Sequence, residues 1–373
     1  MTLARRSLLA TALSAPFIDR AAAQSPQGGG HAHHGDMFHS LRSPGGVPLP
    51  PQTAQQWVTE SPAPAGPPGR WEARAALPLP RSEMAWGVAL KGRIHIIGGY
   101  GEQRVDRNYH HAYDPARDAW VELAVLPRGA NHVGVVADEG RGVIYALGGF
   151  VEQNRTPHSD CFVWDAAADR WQTIAPLPRL RGAGAAVMLD GMVHHIGGAG
   201  DGADRASVAW HEIYDPAADR WTVARPLPAG RDHTGTVTFG GLIHVIGGRF
   251  NDFGHNTALH HVYDKATDRW SLRAPLPTAR SGQGAGVVGD RIYIMGGEGG
   301  TPGGPSGPPT GNVFGQMESY SPATDTWLHH APMPTPRHGL GAAAVDGRIY
   351  VAGGGPIVGG GVQSAVHEVF IPA

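Results

Sequence analysis

Apolar and polar positions along this chain fall into short alternating stretches, not into the stripe of an amphipathic helix. Short runs rich in β-branched residues stop each time at a Gly-Gly pair: "RIHIIGG" ending at Gly99, "VIYALGG" at Gly149, "MVHHIGG" at Gly198, "LIHVIGG" at Gly248, "RIYIMGG" at Gly297 and "RIYVAGG" at Gly354. Runs of this kind, bounded by turn formers, predict strands. Successive Gly-Gly ends are 50, 49, 50, 49 and 57 residues apart. A fixed internal period is the mark of a repeat architecture.

Other features keep the same step. "YDPAADRW", Tyr214–Trp221, has relatives at Tyr113–Trp120, Trp164–Trp171, Tyr263–Trp270 and Tyr320–Trp327, and an orphan Trp71 precedes the first unit. Leu-Pro or Met-Pro follows each of these tryptophans. Asp and Pro are turn formers, so the eight-residue stretch reads as the turn between a third and a fourth strand. A small-residue strand, such as "GAGVVG" at Gly284–Gly289, opens each unit. The long interval holds an inserted loop, Gly299–Asn312. A four-stranded unit cannot bury both faces alone; copies stacked radially close into a β-propeller. Glycine and alanine in the opening strands suit crowding at its axis.

The Gly-Gly after a β-run, the Tyr-Asp, the Trp and the spacing resemble kelch repeats. The resemblance covers residues 71–373 and implies an all-β, six-bladed propeller with four antiparallel strands per blade. The last unit stops at "AVHEVFIPA" without a Trp strand. The Trp71 strand is therefore expected to complete the final blade and lock the ring.

Composition agrees. Gly (55) and Pro (32) are abundant among 373 residues. Lys plus Arg (30) nearly balances Asp plus Glu (32), with no basic stripe, which argues against nucleic acid. Residues 1–23 read as an export signal, probed by Arg5-Arg6, the apolar Leu8–Ile18 and the small Ala21–Ala23; "RRSLL" resembles a bacterial twin-arginine signal. Periplasmic or secreted localisation follows, and no later segment reads as a transmembrane helix. Residues 24–70, rich in Pro, Gly and His, read as a flexible or extended tether. Within it His31, His33, His34 and His39, with Asp36 and Met37, offer ligands for copper or zinc.

Repeat geometry sets which positions share a site. The first two strands of a blade are antiparallel, so the start of one lies beside the end of the other. The residues after Gly-Gly are Tyr100, Phe150, Ala199, Arg249, Glu298 and Gly355; those leading the first strands align as Met84, Asn131, Gly182, Asp232, Ser281 and His338. Candidate ligand-binding residues are Asn131, His132, Asp232, His233, Arg249, Ser281, Glu298 and His338. Taken singly, such rim residues are expected to be solvated. Glu298, Arg249 and His338 are the catalytic candidates if the chain is an enzyme, since a carboxylate beside an imidazole suits acid–base work. Arg181, Arg231, Arg280 and Arg337 repeat in one slot and read as structural, bonding to loop carbonyls. His95, His194 and His244 share a slot with tyrosines, and His110, His211, His260 and His367 share one with the lone Cys161; all read as packed strand residues.

The expected function is a binding module whose rim takes a glycan, a peptide or a periplasmic protein. Two enzyme readings follow from resemblance alone. One is a sugar (sialic acid) mutarotase or epimerase, similar to bacterial periplasmic kelch enzymes that use a rim carboxylate and arginine. The other is a copper oxidase of galactose-oxidase type.

Overall fold

The repeated Tyr–Trp stretch joins one blade to the next. In the turn Tyr214–Trp221, Asp219 Oδ1 accepts from the Tyr214 hydroxyl at 2.7 Å and from the Ala175 amide of the preceding linker at 2.8 Å. Trp221 Nε1 donates to the Ala175 carbonyl at 2.9 Å. The same staple recurs at Trp120, Trp171 and Trp327. The aspartates sit in the left-handed region, which Asp and Asn tolerate better than most residues (Asp219, φ 46°).

The computed structural model describes residues 63–373 apart from 85, 154–155, 201–205, 252–253 and 302–309. These form six four-stranded antiparallel sheets around an axis. Blade one comprises Val88–Leu90, Arg93–Ile97, His110–Asp114 and Ala119–Leu123. Blade two comprises Gly134–Asp138, Val143–Leu147, Cys161–Asp165 and Arg170–Ile174. Blade three is Ala185–Leu189, Met192–Ile196, His211–Asp215 and Arg220–Val223; blade four is Gly235–Phe239, Leu242–Ile246, His260–Asp264 and Arg269–Leu272. Blade five is Gly284–Val288, Arg291–Met295, Met317–Ser321 and Thr326–His329. Blade six takes Gly341–Val345, Arg348–Ala352 and His367–Ile371 from the C-terminal end and Arg70–Ala73 from the N-terminal side, with Trp71 opposite Phe370. The ring closes as the Trp71 strand predicts. Among the described residues no helix is long and apolar enough to cross a membrane.

One expectation needs amendment. Residues 63–70 are not a free tether: Ala65 bridges to His329, and His330 Nδ1 approaches the Pro67 carbonyl at 2.7 Å, so this stretch lies along blade five. The histidines at 31–39 and the export signal lie outside the described residues. The insertion in blade five is flanked by a hairpin, Glu298–Thr301 with Thr310–Val313.

The buried arginine slot has five members, since Arg81 joins the four read from the repeat. Each guanidinium caps carbonyls at or just past the end of the second strand, as Arg231 does with Gly247 (2.8 Å) and Val245 (3.0 Å) and Arg81 with Gly98 (3.1 Å). Its partner on the third strand is a glutamate for Arg181, Arg280 and Arg337 (Glu212, Glu318, Glu368) and a histidine for Arg81 and Arg231 (His111, His261). In blade two the pair is Ala130 and Phe162, apolar on both sides. A buried charge is kept where its partner is present and dropped with it.

The strand histidines are packed, as expected. His194 Nδ1 lies 2.9 Å from His211 Nε2, and His211 Nδ1 is 3.0 Å from the Arg225 carbonyl, which also accepts from Trp270. His244 and His260 repeat this in blade four. Cys161 is buried, donates weakly to the Ser159 carbonyl and has its thiol pushed up to about 12 by burial. It is a packed strand residue and no reactive thiol.

Candidate functional site

The first strands start on one face of the disc, and their leading residues are fixed there by backbone pairing to the residues after Gly-Gly. The bridges are Ser82–Tyr100, Asn131–Phe150, Gly182–Ala199, Asp232–Arg249, Ser281–Glu298 and His338–Gly355. Both glycines of each pair take positive φ (Gly247 61°, Gly248 94°), a path closed to most residues, which delivers the next side chain to the axis.

Blade one departs from the sequence alignment. Its leading residue is Ser82, not Met84. Ser82 pairs with Tyr100 as Asn131 pairs with Phe150, and Val88 faces His95 as Val136 faces Tyr145. The path from Ser82 to Val88 is therefore one residue longer than that from Asn131 to Val136. This extra residue, together with the match of Gly87 to Gly134 one position off in strand pairing, hides Glu83, the central group of the site.

Glu83, His132, Ala183, His233, Gly282 and Gly339 follow the leading residues and form a collar. All have left-handed φ, from 49° at Glu83 to 64° at Gly282. The amides of His132, Ala183, His233, Gly282 and Gly339 each donate to the carbonyl of the preceding member, at 2.8–3.3 Å. Non-glycine residues held there are strained, and such strain persists where the surroundings over-determine it. Beneath the collar runs an axial cavity of about 380 Å³ lined by small and apolar first-strand residues, among them Val88, Val136, Val187 and Ala343.

Five blades bring ionisable side chains to the collar. Glu83 Oε2 lies 3.0 Å from His132 Nε2 and 4.0 Å from His233 Nε2, and Oε1 lies 3.2 Å from His338 Nδ1. Arg249 spans two carboxylates, Nε to Asp232 Oδ1 at 3.0 Å and Nη1 to Glu298 Oε1 at 2.9 Å, while Nη2 is 3.0 Å from His233 Nε2. Glu298 Oε2 lies 3.4 Å from His338 Nε2. His233 Nδ1 contacts Asp232 Oδ1 and His132 Nδ1 contacts Asn131 Oδ1, both at 2.5 Å. Every one of these side chains is buried, Arg249 most exposed at 7 %. The expectation of solvated rim residues is overturned, because the loop after Gly355 folds over them. Gly359 donates its amide to Glu298 Oε2 (2.8 Å), and His338 Nε2 reaches the Ile357 carbonyl (2.8 Å).

Burial opposes ionisation of Asp232, but Arg249 and the contacts from His233 and Ser207 hold it well below the usual carboxylate range. Burial likewise opposes ionisation of Glu83, and positive charge on its His132, His338 and His233 side outweighs burial and holds it low. Burial and Arg249 push His233 down to about 4, keeping it neutral near pH 7. Seven of the eight sequence candidates thus meet in one network. Ser281 contributes only backbone there; its buried hydroxyl has no hydrogen-bond partner among the described residues. The signal for Glu83 was Arg81, which marks the slot two before it.

Comparison with known proteins agrees with this architecture. The Kelch motif profile matches residues 133–178 and 279–334. Kelch-like protein terF of Aspergillus terreus is 31% identical over 324 residues, 82% of this chain and 68% of that protein. Kelch-like protein 35 of mouse is 28% identical over 36% of this chain, and the match spans 22% of its own length. The human Kelch repeat and BTB domain-containing protein 13 is 34% identical over 29% of this chain and 23% of its own. The solved structure of YjhT superposes with a TM-score of 0.67 at 17% identity, covering 80% of this chain and 96% of that one, a likeness of fold. The chain belongs to the kelch-repeat family of β-propellers.

Proposed function

We propose that this propeller binds a small polyhydroxylated ligand, of carbohydrate type, at the Arg249–Glu298–His338 side of the collar. The observation carrying this reading is how the loop over the site is held. It gives an N–H to Glu298 and a C=O to His338. A hydroxyl donates and accepts, so neighbouring hydroxyls can replace both groups once the loop lifts. Buried, paired charges then orient the guest, as convergent polar groups do in ligand pockets. The test is calorimetric titration with neutral and carboxylated sugars, comparing the native chain with Glu298→Gln and Arg249→Lys. Binding weakened at least tenfold in both variants supports the reading; no sugar binding to the native chain overturns it.

A second reading, acid–base catalysis of anomer exchange, is favoured by the 3.4 Å between Glu298 and His338 with Arg249 alongside. Exchange spectroscopy on an anomeric mixture decides it: accelerated exchange, abolished in Glu298→Gln, is the expected result. Export rests on Arg5-Arg6 and the apolar stretch after them; retention of Arg5→Lys/Arg6→Lys protein in the cytoplasm tests the twin-arginine route.

A further inference from the structure

The hydrogen-bond partners of three imidazoles decide where their lone pairs point. Asn131 Nδ2 donates to Asp106 Oδ1 (2.6 Å) and to the Phe150 carbonyl (3.1 Å), both acceptors, which turns Asn131 Oδ1 toward His132 Nδ1. His132 Nδ1 therefore carries the proton, and in the neutral ring Nε2 carries a lone pair. His233 is fixed in the same way: Nδ1 donates to Asp232 Oδ1, and Nε2 accepts from Arg249. His338 donates from Nε2 to the Ile357 carbonyl, which leaves a lone pair on Nδ1, a buried nitrogen with no hydrogen bond of its own.

The lone pairs of His132 and His338 face the carboxylate of Glu83, and His233 Nε2, which accepts from Arg249, lies 4.0 Å from Glu83 Oε2. At 3.0 Å and 3.2 Å, neutral His132 and His338 set acceptor against acceptor, so positive charge is called for between them and Glu83, as a metal ion or as a proton on each ring. Three carboxylates (Glu83, Asp232, Glu298) face one guanidinium (Arg249) in a buried site, a net negative balance that burial makes costly.

We propose that Glu83 Oε2, His132 Nε2 and His233 Nε2 bind a divalent first-row transition metal, with His338 Nδ1 as the fourth candidate ligand. The three primary atoms lie within 4.8 Å of one another. Spacings of 3.0 and 4.0 Å bracket the roughly 3.4 Å that tetrahedral bonds of about 2.0–2.1 Å require. Two imidazoles and one carboxylate are a common set for zinc and for iron(II). Asn131 and Asp232 are the outer partners that such histidines use to fix tautomer and ring orientation. Arg249 gives up one contact to His233 and keeps both carboxylates. The metal does not depend on the sugar reading, since ion and sugar are titrated separately and either can fail alone.

The experiment uses the full chain with His31, His33, His34 and His39 replaced by alanine, which removes the competing histidines. The stripped protein is titrated with Zn(II), and separately with Co(II), whose visible bands report geometry. One equivalent bound per chain, with a rise in Tm, is expected. Glu83→Gln and His132→Gln added to this background should weaken binding at least a hundredfold, and Asp232→Asn about 10–100-fold. Circular dichroism and gel filtration establish that each variant is folded; Asp232→Asn and Glu83→Gln keep side-chain size, so they report even if His132→Gln unfolds. No stoichiometric metal in the parent background, or unchanged affinity in folded Glu83→Gln, overturns the proposal and leaves a cluster balanced by protons.

Discussion

Arg249 holds Glu298 across the boundary between blades four and five, Nη1 to Oε1 at 2.9 Å, while its Nε holds Asp232 at 3.0 Å within its own blade. Removing this guanidinium strands two buried carboxylates. Arg249→Ala should lower stability by about 3–5 kcal/mol, the usual cost of breaking a buried ion pair. Urea denaturation measures it, and a loss under 1 kcal/mol would show that the carboxylates already find other partners.

Asp219 serves two blades at once, through the Tyr214 hydroxyl and the Ala175 amide. Asp219→Ala removes the oxygen that accepts both bonds, at a residue with φ 46°, and should cost about 2–3 kcal/mol. Asp219→Asn keeps an acceptor and tolerates that φ, so it should cost less than half as much. Equal losses in the two variants would contradict the double-acceptor role.

The ring is closed by one strand from the other end of the chain. Trp71 donates from Nε1 to the Ala331 carbonyl at 2.8 Å and packs on Phe370, ring centres 5.2 Å apart. Trp71→Ala should cost about 3 kcal/mol. A chain starting at Arg74 leaves the strand His367–Ile371 as a bare edge and should aggregate in gel filtration. A monomeric truncated chain of native stability would refute the closure role.

Arg231 pairs with His261 where three other blades place a glutamate, and burial pulls its guanidinium down to about 9. His261→Glu supplies the partner that Arg181 finds in Glu212. A gain of about 1–2 kcal/mol at pH 7 is expected; destabilisation would mean that the site cannot accept the longer carboxylate.

Burial pushes His95, His211, His244 and His367 down to about 4 and His194 to about 3. His211 donates from one nitrogen and accepts on the other, so an added proton would meet a donor. The unfolded chain, with imidazoles titrating near 6.5, binds these protons first. Their contribution to stability is complete above about pH 6.5 and is lost as pH falls from there through 4. The slope should approach about 1.4 kcal/mol per pH unit for each proton taken up on unfolding. Stability flat between pH 6.5 and 4 would contradict neutral, buried pairs.

The ring was legible because the Gly-Gly ends and the tryptophans repeat in phase, and a repeat carries its own register. The site was half legible. Asn131, Asp232, Glu298 and His338 were found because their blades share one spacing. Glu83 was not, because blade one is aligned two residues out of step: one for the extra residue before Val88, and one because Gly87 stands in line with Gly134 in sequence but not in strand pairing, which alone reveals the shift. Burial of the cluster was also invisible: no spacing rule says that the loop after Gly355 turns inward over the axis. The exchange of Glu212 for His261 opposite a buried arginine was written in the sequence, yet its meaning depends on third-strand residues reaching the first-strand lead, a contact across the whole blade.

The loop bonded to Glu298 and His338 makes the resting protein its own first guest. A tethered N–H and C=O compete at an effective concentration that no dilution lowers. Any outside ligand is therefore measured against that internal rival, and its apparent affinity is the intrinsic one scaled by the fraction of molecules whose loop is open. Such an arrangement sets a threshold: weak or mismatched solutes leave the loop down, and only a guest that satisfies both Glu298 and His338 lifts it.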